Sequence, residues 1–294
     1  MPQMSTAMPW LLKCGVTAAL VLLACRIAAP WIDPGLHQPA VTARDGNLTT
    51  FNRYVAEPKP IIALVGSSVT WRLKEEYFTK ASVRNLALAG GSPVTGLAII
   101  AEQRELPRIV LIETNVLSRG TDDALVEKFS GGKAGPALLR PVRTAVAAFE
   151  LWNHAPPDAA QAAAAREQLL RQPPSDFDNR VYVERAVQQM NAADPTAAAR
   201  ANVARIGKLI ADIEQRGSRA LLFEVPFQPE TEKTRMATIT REIAAAAFPD
   251  RNRWLSIEPV RSELRWADGV HLDERSALMV ARSIEQALAT EIAR

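Results

Sequence analysis

The sequence predicts an α/β domain, a three-layer αβα sandwich around a parallel sheet of roughly five strands. Three observations predict it. Short apolar runs alternate with helix-length stretches along most of the chain, the pattern of a parallel sheet whose crossovers are helices. The run Pro60-Ile-Ile-Ala-Leu-Val-Gly66 has the length and composition of a buried strand. The 294 residues are 48% apolar and 23% charged, enough for one sizeable core.

The N-terminal residues form a separate element. From Cys14 to Cys25 the chain is uncharged and mostly apolar, bounded by Lys13 and Arg26. That run alone is shorter than the roughly 20 residues needed to cross a bilayer. Extended from Leu11 to Ile32 it suffices, if Lys13 and Arg26 snorkel and Trp10 and Trp31 mark the interfaces. A cleaved signal peptide, a lipobox-like Leu22-Leu23-Ala24-Cys25 and a buried apolar helix are the alternatives. The preferred expectation is a signal anchor over residues 1–32, single-pass in a bacterial inner membrane, with the body periplasmic or otherwise extracytoplasmic. Residues 33–58 then read as a polar, proline-containing linker, and 59–294 as the folded body.

Within the body, strands are predicted at 60–66, 83–88, 108–113, 219–225 and 253–257. Helices are predicted at 94–105, 197–216 and 232–246. A last helix begins near Asp273 or Glu274, with acids in its first turn and Arg294 at its end. Residues 118–195 break the rhythm. They are rich in Ala, Pro, Gln and Arg, show helical spacing of apolar residues in 137–151 and 159–170, and carry no clear strand. This segment reads as a helical insertion, a lid or a partner-docking element; an irregular loop without chemical role is the alternative.

Composition excludes several function classes. The net charge of +3 comes from scattered, mixed charges, so no nucleic-acid footprint is visible. The two cysteines, Cys14 and Cys25, both lie in the N-terminal segment, which leaves the body without disulfides or a thiolate metal site. No metal-ligand cluster and no cofactor are expected. Ser130-Gly131-Gly132-Lys133 lacks the first glycine and the following Ser or Thr of a phosphate loop.

The candidate chemistry rests on three residues. Ser68 stands where the first strand stops and Val69-Thr70-Trp71-Arg72-Leu73 can begin a helix, a position that lifts a hydroxyl out of the sheet. A helix N-cap serine is the alternative. Asp268 and His271 stand three apart in Trp266-Ala-Asp-Gly-Val-His-Leu-Asp273. In a loop, the carboxylate can hold Nδ1 while Nε2 faces outward to take a serine proton. The alternative is a turn in which Asp268 bonds the backbone of Gly269 or Val270. His37 and His154 have no comparable acidic partner. Arg72, four residues after Ser68, can share its helix face and bind an anionic group, or be a solvated arginine. Trp71 and Trp266 can stack on sugar rings or pack against the sheet.

Four segments in order resemble the four blocks of the SGNH (GDSL) serine hydrolase superfamily, over most of residues 60–290 except the insertion. Gly66-Ser67-Ser68-Val69 resembles the first block. Asn85-Leu-Ala-Leu-Ala-Gly90-Gly91-Ser92 resembles the second, Glu113-Thr114-Asn115 the third, and Asp268-Gly-Val-His271 the last. The resemblance implies an SGNH-hydrolase-like, flavodoxin-like fold, with Ser68 as nucleophile, His271 as base and Asp268 as its partner. It implies oxyanion donors at the Ser68 N–H, the Gly90 N–H and the Asn115 amide. Gly91 is the second choice to Gly90, and Gly91 and Arg72 are candidate substrate contacts. The chain departs from the pattern at Ser67, where Asp is usual, at Glu113, where Gly is usual, and at Val116, where Asp is usual.

The same triad serves esterases and acyltransferases. The chain is similar to membrane-anchored members of the superfamily that act beside membrane-bound O-acyltransferases. That similarity implies acyl transfer on a cell-envelope carbohydrate ester, with such an acyltransferase or a polysaccharide-export protein as partner. A membrane-tethered lipase or thioesterase is one alternative. A non-catalytic assembly protein that binds a partner through the insertion is another.

Overall fold

A computed structural model describes residues 7–32, 43–132, 149, 153 and 157–289. Two compact units divide the chain, Met1–Glu57 with Ala134–Pro157, and Pro58–Lys133 with Asp158–Arg294.

In the first unit, α1 spans Ala7–Ile32 and α2 spans Ala43–Ala56. The expected membrane-crossing helix is not found: among the described residues, no helix is long and apolar enough to cross a membrane. Lys13 and Arg26 confine the uncharged run of α1 to Cys14–Cys25, and Gly15, Thr17 and several alanines dilute it. Part of the stretch read as a linker is the helix α2, where Leu48, Phe51 and Val55 recur at helical spacing.

The second unit is α/β. Four parallel strands, β1 (Ile62–Val65), β2 (Val83–Asn85), β3 (Ile109–Glu113) and β4 (Arg219–Phe223), lie in the order β2-β1-β3-β4. All four fall inside predicted runs. The fifth expected strand, 253–257, is absent from the sheet. It touches β4 through one bridge, Leu222 to Trp254, and one bond from the Leu255 N–H to the Leu222 carbonyl at 2.8 Å. The Trp254 indole is instead turned back to the Phe248 carbonyl at 2.9 Å, and polar Ser256 ends the apolar pair.

The helices of this unit are α3 (Ser68–Trp71), α4 (Pro93–Ala101), α5 (Asp123–Phe129), α6 (Ala159–Leu170), α7 (Arg180–Ala192), α8 (Thr196–Gln215), α9 (Pro229–Glu232), α10 (Arg235–Ala247) and α11 (Glu274–Ala287). Strand side chains alternate between faces. Ile62, Leu64, Ile109, Leu111, Leu221 and Phe223 share one core with Ala277, Leu278, Ala281 and Ile284 of α11. The opposite face carries Ala63 and Val65. There α4 approaches so closely that a Cβ on Gly96 would lie 2.9 Å from Val65 Cγ1 and 3.1 Å from the Leu86 carbonyl oxygen. Helix α8 buries Ala199, Val203, Ile206, Ile210 and Ile213, one stripe at three- and four-residue spacing.

Within the insertion, α6 coincides with the expected 159–170. The expected helix at 137–151 lies outside the described residues apart from Phe149. Helix α7 was not anticipated. Its Val183, Ala186, Val187 and Met190 recur at three- and four-residue spacing on its less exposed side, with Met190 buried, while Val181 and Tyr182 are exposed.

The close approach of α4 gives a stability test. Gly96→Val forces branched carbons against Val65 and should cost about 1–3 kcal/mol, read as a lower urea midpoint with an unchanged slope.

Candidate active site

The first strand positions the candidate nucleophile, Ser68. After Val65 the chain turns at Gly66, where a Cβ would sit 2.5 Å from Glu113 Oε2 and 2.7 Å from the Thr70 side chain. Only glycine fits there. Ser67 is the N-cap of α3: its Oγ accepts the Val69 N–H at 3.2 Å. The capping role therefore falls on Ser67, and the Ser68 hydroxyl is left free of it. Ser68 is half-buried at the C-terminal end of β1.

Beneath this turn lies Glu113, the last residue of β3, fully buried. Its Oε2 accepts the Ser67 N–H at 2.8 Å and the Thr70 N–H at 3.2 Å, and its Oε1 accepts the Ser67 hydroxyl at 2.7 Å. Burial pushes the Glu113 carboxyl above its ordinary value of 4.5, against the pull of its bonds to Thr70 and Ser67. The two departures at Ser67 and Glu113 are thus one feature, a serine and a glutamate bonded to each other. Sequence reasoning missed the role of Glu113, although an acid closing a wholly apolar strand was the available signal.

The candidate base, His271, arrives from the other end of the chain. His271 Nε2 lies 2.8 Å from Ser68 Oγ, across 203 positions, and His271 Nδ1 lies 2.8 Å from Asp268 Oδ2. Asp268 does both things expected of it. Its Oδ2 meets the imidazole while its Oδ1 accepts the Val270 and His271 N–H groups, each at 2.8 Å. Half-burial would raise the Asp268 carboxyl, but the bonds from His271 and Val270 outweigh it and hold the group down at about 2. Asp268 is therefore an acceptor throughout the neutral range and selects the tautomer with hydrogen on Nδ1, leaving Nε2 to accept the serine proton.

The loop that carries this pair is held from several sides. The Ala267 N–H bonds the His271 carbonyl at 2.8 Å, and Trp266 pairs with Leu272. Thr231 Oγ1 donates to the Gly269 carbonyl at 2.8 Å, and Asn179 Nδ2 to the Trp266 carbonyl at 2.8 Å. Gly269 lies against α7, where a Cβ would come 2.7 Å from Ala186 Cβ and 3.0 Å from Val183 Cα. The insertion thus buttresses the loop that carries Asp268 and His271, a role that no sequence motif announced.

The expected oxyanion donors fare unequally. The Ser68 and Gly90 N–H groups have no hydrogen-bond partner among the described residues. Gly90 has φ +75°, the left-handed conformation that favours glycine. It lies two residues after Leu88, whose N–H bonds the Gly66 carbonyl at 3.0 Å and so holds Leu88 against the turn that carries Ser68. Asn115 is buried, and its side chain is clamped to Val225: Oδ1 accepts the Val225 N–H and Nδ2 donates to its carbonyl, both at 2.8 Å. One Nδ2 hydrogen is left for another acceptor. Gly91, a candidate substrate contact, is occupied structurally. Its N–H bonds the Leu88 carbonyl at 2.9 Å, and a Cβ would lie 2.5 Å from Leu88 Cβ.

The remaining candidates also separate. Trp266 is half-buried against the core and donates its indole N–H to the Pro226 carbonyl at 3.2 Å. Trp71 is exposed, with the Arg72 guanidinium carbon 5.9 Å from its ring centroid. His37 and His154 lie outside the described residues. Among the described residues, no group of three His, Cys, Asp or Glu is placed to hold a metal ion.

Compared with known proteins, the chain matches no family model, and no curated protein matches it.

Two outcomes test the Glu113 arrangement. Glu113→Ala strands the Ser67 and Thr70 N–H groups in the interior and should destabilise the protein by about 1–3 kcal/mol per group, with slower reaction at Ser68. Glutamine can replace the contacts, its oxygen taking both N–H groups and its amide donating to Ser67 Oγ, so Glu113→Gln should lose much less. The raised carboxyl also sets a sign. Its contribution is present below pH 4.5 and lost as pH rises through the raised folded value. Between about pH 4 and pH 8, urea unfolding should show wild type losing more stability than Glu113→Gln.

Proposed function

We propose that the protein is a serine-dependent acyl-transfer enzyme of the SGNH type, an esterase or O-acyltransferase acting on ester-linked acyl groups of a cell-envelope carbohydrate. The observation that carries this reading is the unbroken chain of contacts Ser68–His271–Asp268, 2.8 Å at each step. Supporting it are the N–H groups of Ser68 and Gly90, which have no hydrogen-bond partner among the described residues.

In this mechanism His271 Nε2 takes the Ser68 proton as Oγ attacks the ester carbonyl carbon. Asp268 stabilises the imidazolium that forms, without itself taking the proton. The Ser68 and Gly90 N–H groups and the remaining Asn115 hydrogen bind the oxyanion, each donor worth roughly 3–4 kcal/mol in the transition state. His271 then protonates the departing alcohol. The acyl-enzyme is resolved by water, or by a sugar hydroxyl if the enzyme is a transferase.

The envelope setting belongs to the same proposal. It draws on α1, whose Trp10, Leu11, Leu12, Leu20, Leu23 and Ile27 side chains are apolar and exposed. Membrane association through these side chains, an extracytoplasmic body and a membrane-bound O-acyltransferase partner fit together.

A fluorophosphonate should label wild type at Ser68, by peptide mapping, and leave Ser68→Ala unlabelled. Asp268→Asn should lower ester turnover on the order of 10⁴-fold with the fold intact by circular dichroism. Labelling that persists in Ser68→Ala, or full turnover by His271→Ala, would falsify the assignment. Deleting residues 1–32 should move the protein from the membrane fraction to the soluble one.

A further inference from the structure

We propose that the two adjoining grooves that share Arg72, one carrying Trp71 and the other Asp176, are the subsite for the carbohydrate portion of the substrate, with a sugar ring against the Trp71 indole. This rests on the acyl-transfer reading above and names the side of the ester that the groove takes.

Position is the first argument. Trp71 and Arg72 follow Ser68 by three and four residues on the same short helical turn, so their side chains lie on its side of the helix. Two grooves, of 320 and 570 Å³, share Arg72 and Glu274. Trp71 lines the smaller. The larger is lined by Ala267 and Asp273, the residues that bracket Asp268 and His271. The paired grooves therefore lie against residues that flank Ser68 on one segment and Asp268 and His271 on the other.

The chemistry of the lining is the second argument. Most charged side chains here are already engaged. Lys74 pairs with Glu274 at 2.7 Å, Arg275 with Glu263 at 3.3 Å, and Arg265 donates to the Gln172 carbonyl at 2.7 Å. The side chains of Arg72 and Asp176 have no hydrogen-bond or ion-pair partner among the described residues; Arg72 meets only the Trp71 ring. Trp71 is 51% exposed, a large ring left in water beside a reactive hydroxyl. An unengaged donor, an unengaged acceptor and an open aromatic face are what a polyol needs, since its hydroxyls both donate and accept while its C–H face is apolar.

The same lining disfavours a long acyl chain. Apart from Trp71, its apolar residues are small or rigid: Pro173, Pro174, Ala267 and Ala277. A hydrocarbon laid here would strip water from guanidinium and carboxylate groups without replacing their hydrogen bonds. The groove thus suits the alcohol side of a glycan ester.

The test compares substrates in the full chain. kcat/KM is measured for partially O-acetylated oligosaccharides, one neutral set and one uronic-acid set, and for p-nitrophenyl acetate. Trp71→Ala should lower the preference for the oligosaccharide esters over p-nitrophenyl acetate about tenfold, mainly through KM. Arg72→Ala should lower it for the uronic set more than the neutral set if the guanidinium meets a carboxylate, and equally if it meets hydroxyls. An unchanged preference in Trp71→Ala overturns the subsite. Should neither set be turned over, tryptophan-fluorescence titration of Ser68→Ala with the same oligosaccharides decides. Quenching that disappears in the Trp71→Ala, Ser68→Ala double variant supports the groove even where acyl transfer fails. The absence of Trp71-dependent binding overturns the groove while leaving fluorophosphonate labelling of Ser68 untouched.

Discussion

A carboxylate without water organises this site. Glu113 ends β3 inside the protein, and no cation pairs with it among the described residues. A buried acceptor of that kind must find donors, and the three it has all belong to the turn after β1. Gly66, with no side chain, lets the turn come down onto it. Ser67 spends its hydroxyl on the carboxylate and its lone pair on the helix start. What is left facing outward is Ser68. The candidate nucleophile is defined less by its own contacts than by how completely its neighbour is engaged.

Sheet topology explains why these groups meet. With the order β2-β1-β3-β4, the chain leaves β1 to one side for β2 and returns to the other for β3. The carboxyl ends of β1 and β3 therefore flank the point where the direction of winding reverses, where crevices form in open α/β sheets. Ser68 follows β1 and Asn115 follows β3, one on each side of that crevice. The imidazole comes from a loop outside the sheet, which has to be fixed by other means. Thr231 of α9, Asn179 before α7 and the packing of Gly269 provide them.

Much of this was legible in the chain. Three strands stood out as short, almost purely apolar runs, and β2, Val83-Arg-Asn, because it leads into apolar Leu86-Ala-Leu88; Ser68, Asp268 and His271 stood out because they sit where such a run stops or in a polar loop. The remainder failed for physical reasons. Residues 253–257 carry strand-like side chains, but strand membership depends on backbone bonds to a neighbour, and Trp254 and Leu255 make a single contact before the chain veers away. Helix α7 hid because exposed Val181 and Tyr182 adjoin its inward stripe of Val183, Ala186, Val187 and Met190 and mask it. Asn115 was legible as a polar residue after β3, but not its attachment to Val225, which lies 110 positions away. The link between Ser67 and Glu113 was equally silent, since each looked like an isolated departure until the fold bonded them together.

The packing of Gly269 against α7 bears on how far the molecule could be pared down. A minimal version built from the sheet and its crossovers would omit residues 179–192 as an ornament between β3 and α8. Yet that helix is the floor on which the His271 loop rests, contacting it at backbone distance. Ancestors or redesigns lacking it would have had to support the imidazole by some other prop. The segment most foreign to the architecture is therefore among the hardest to remove.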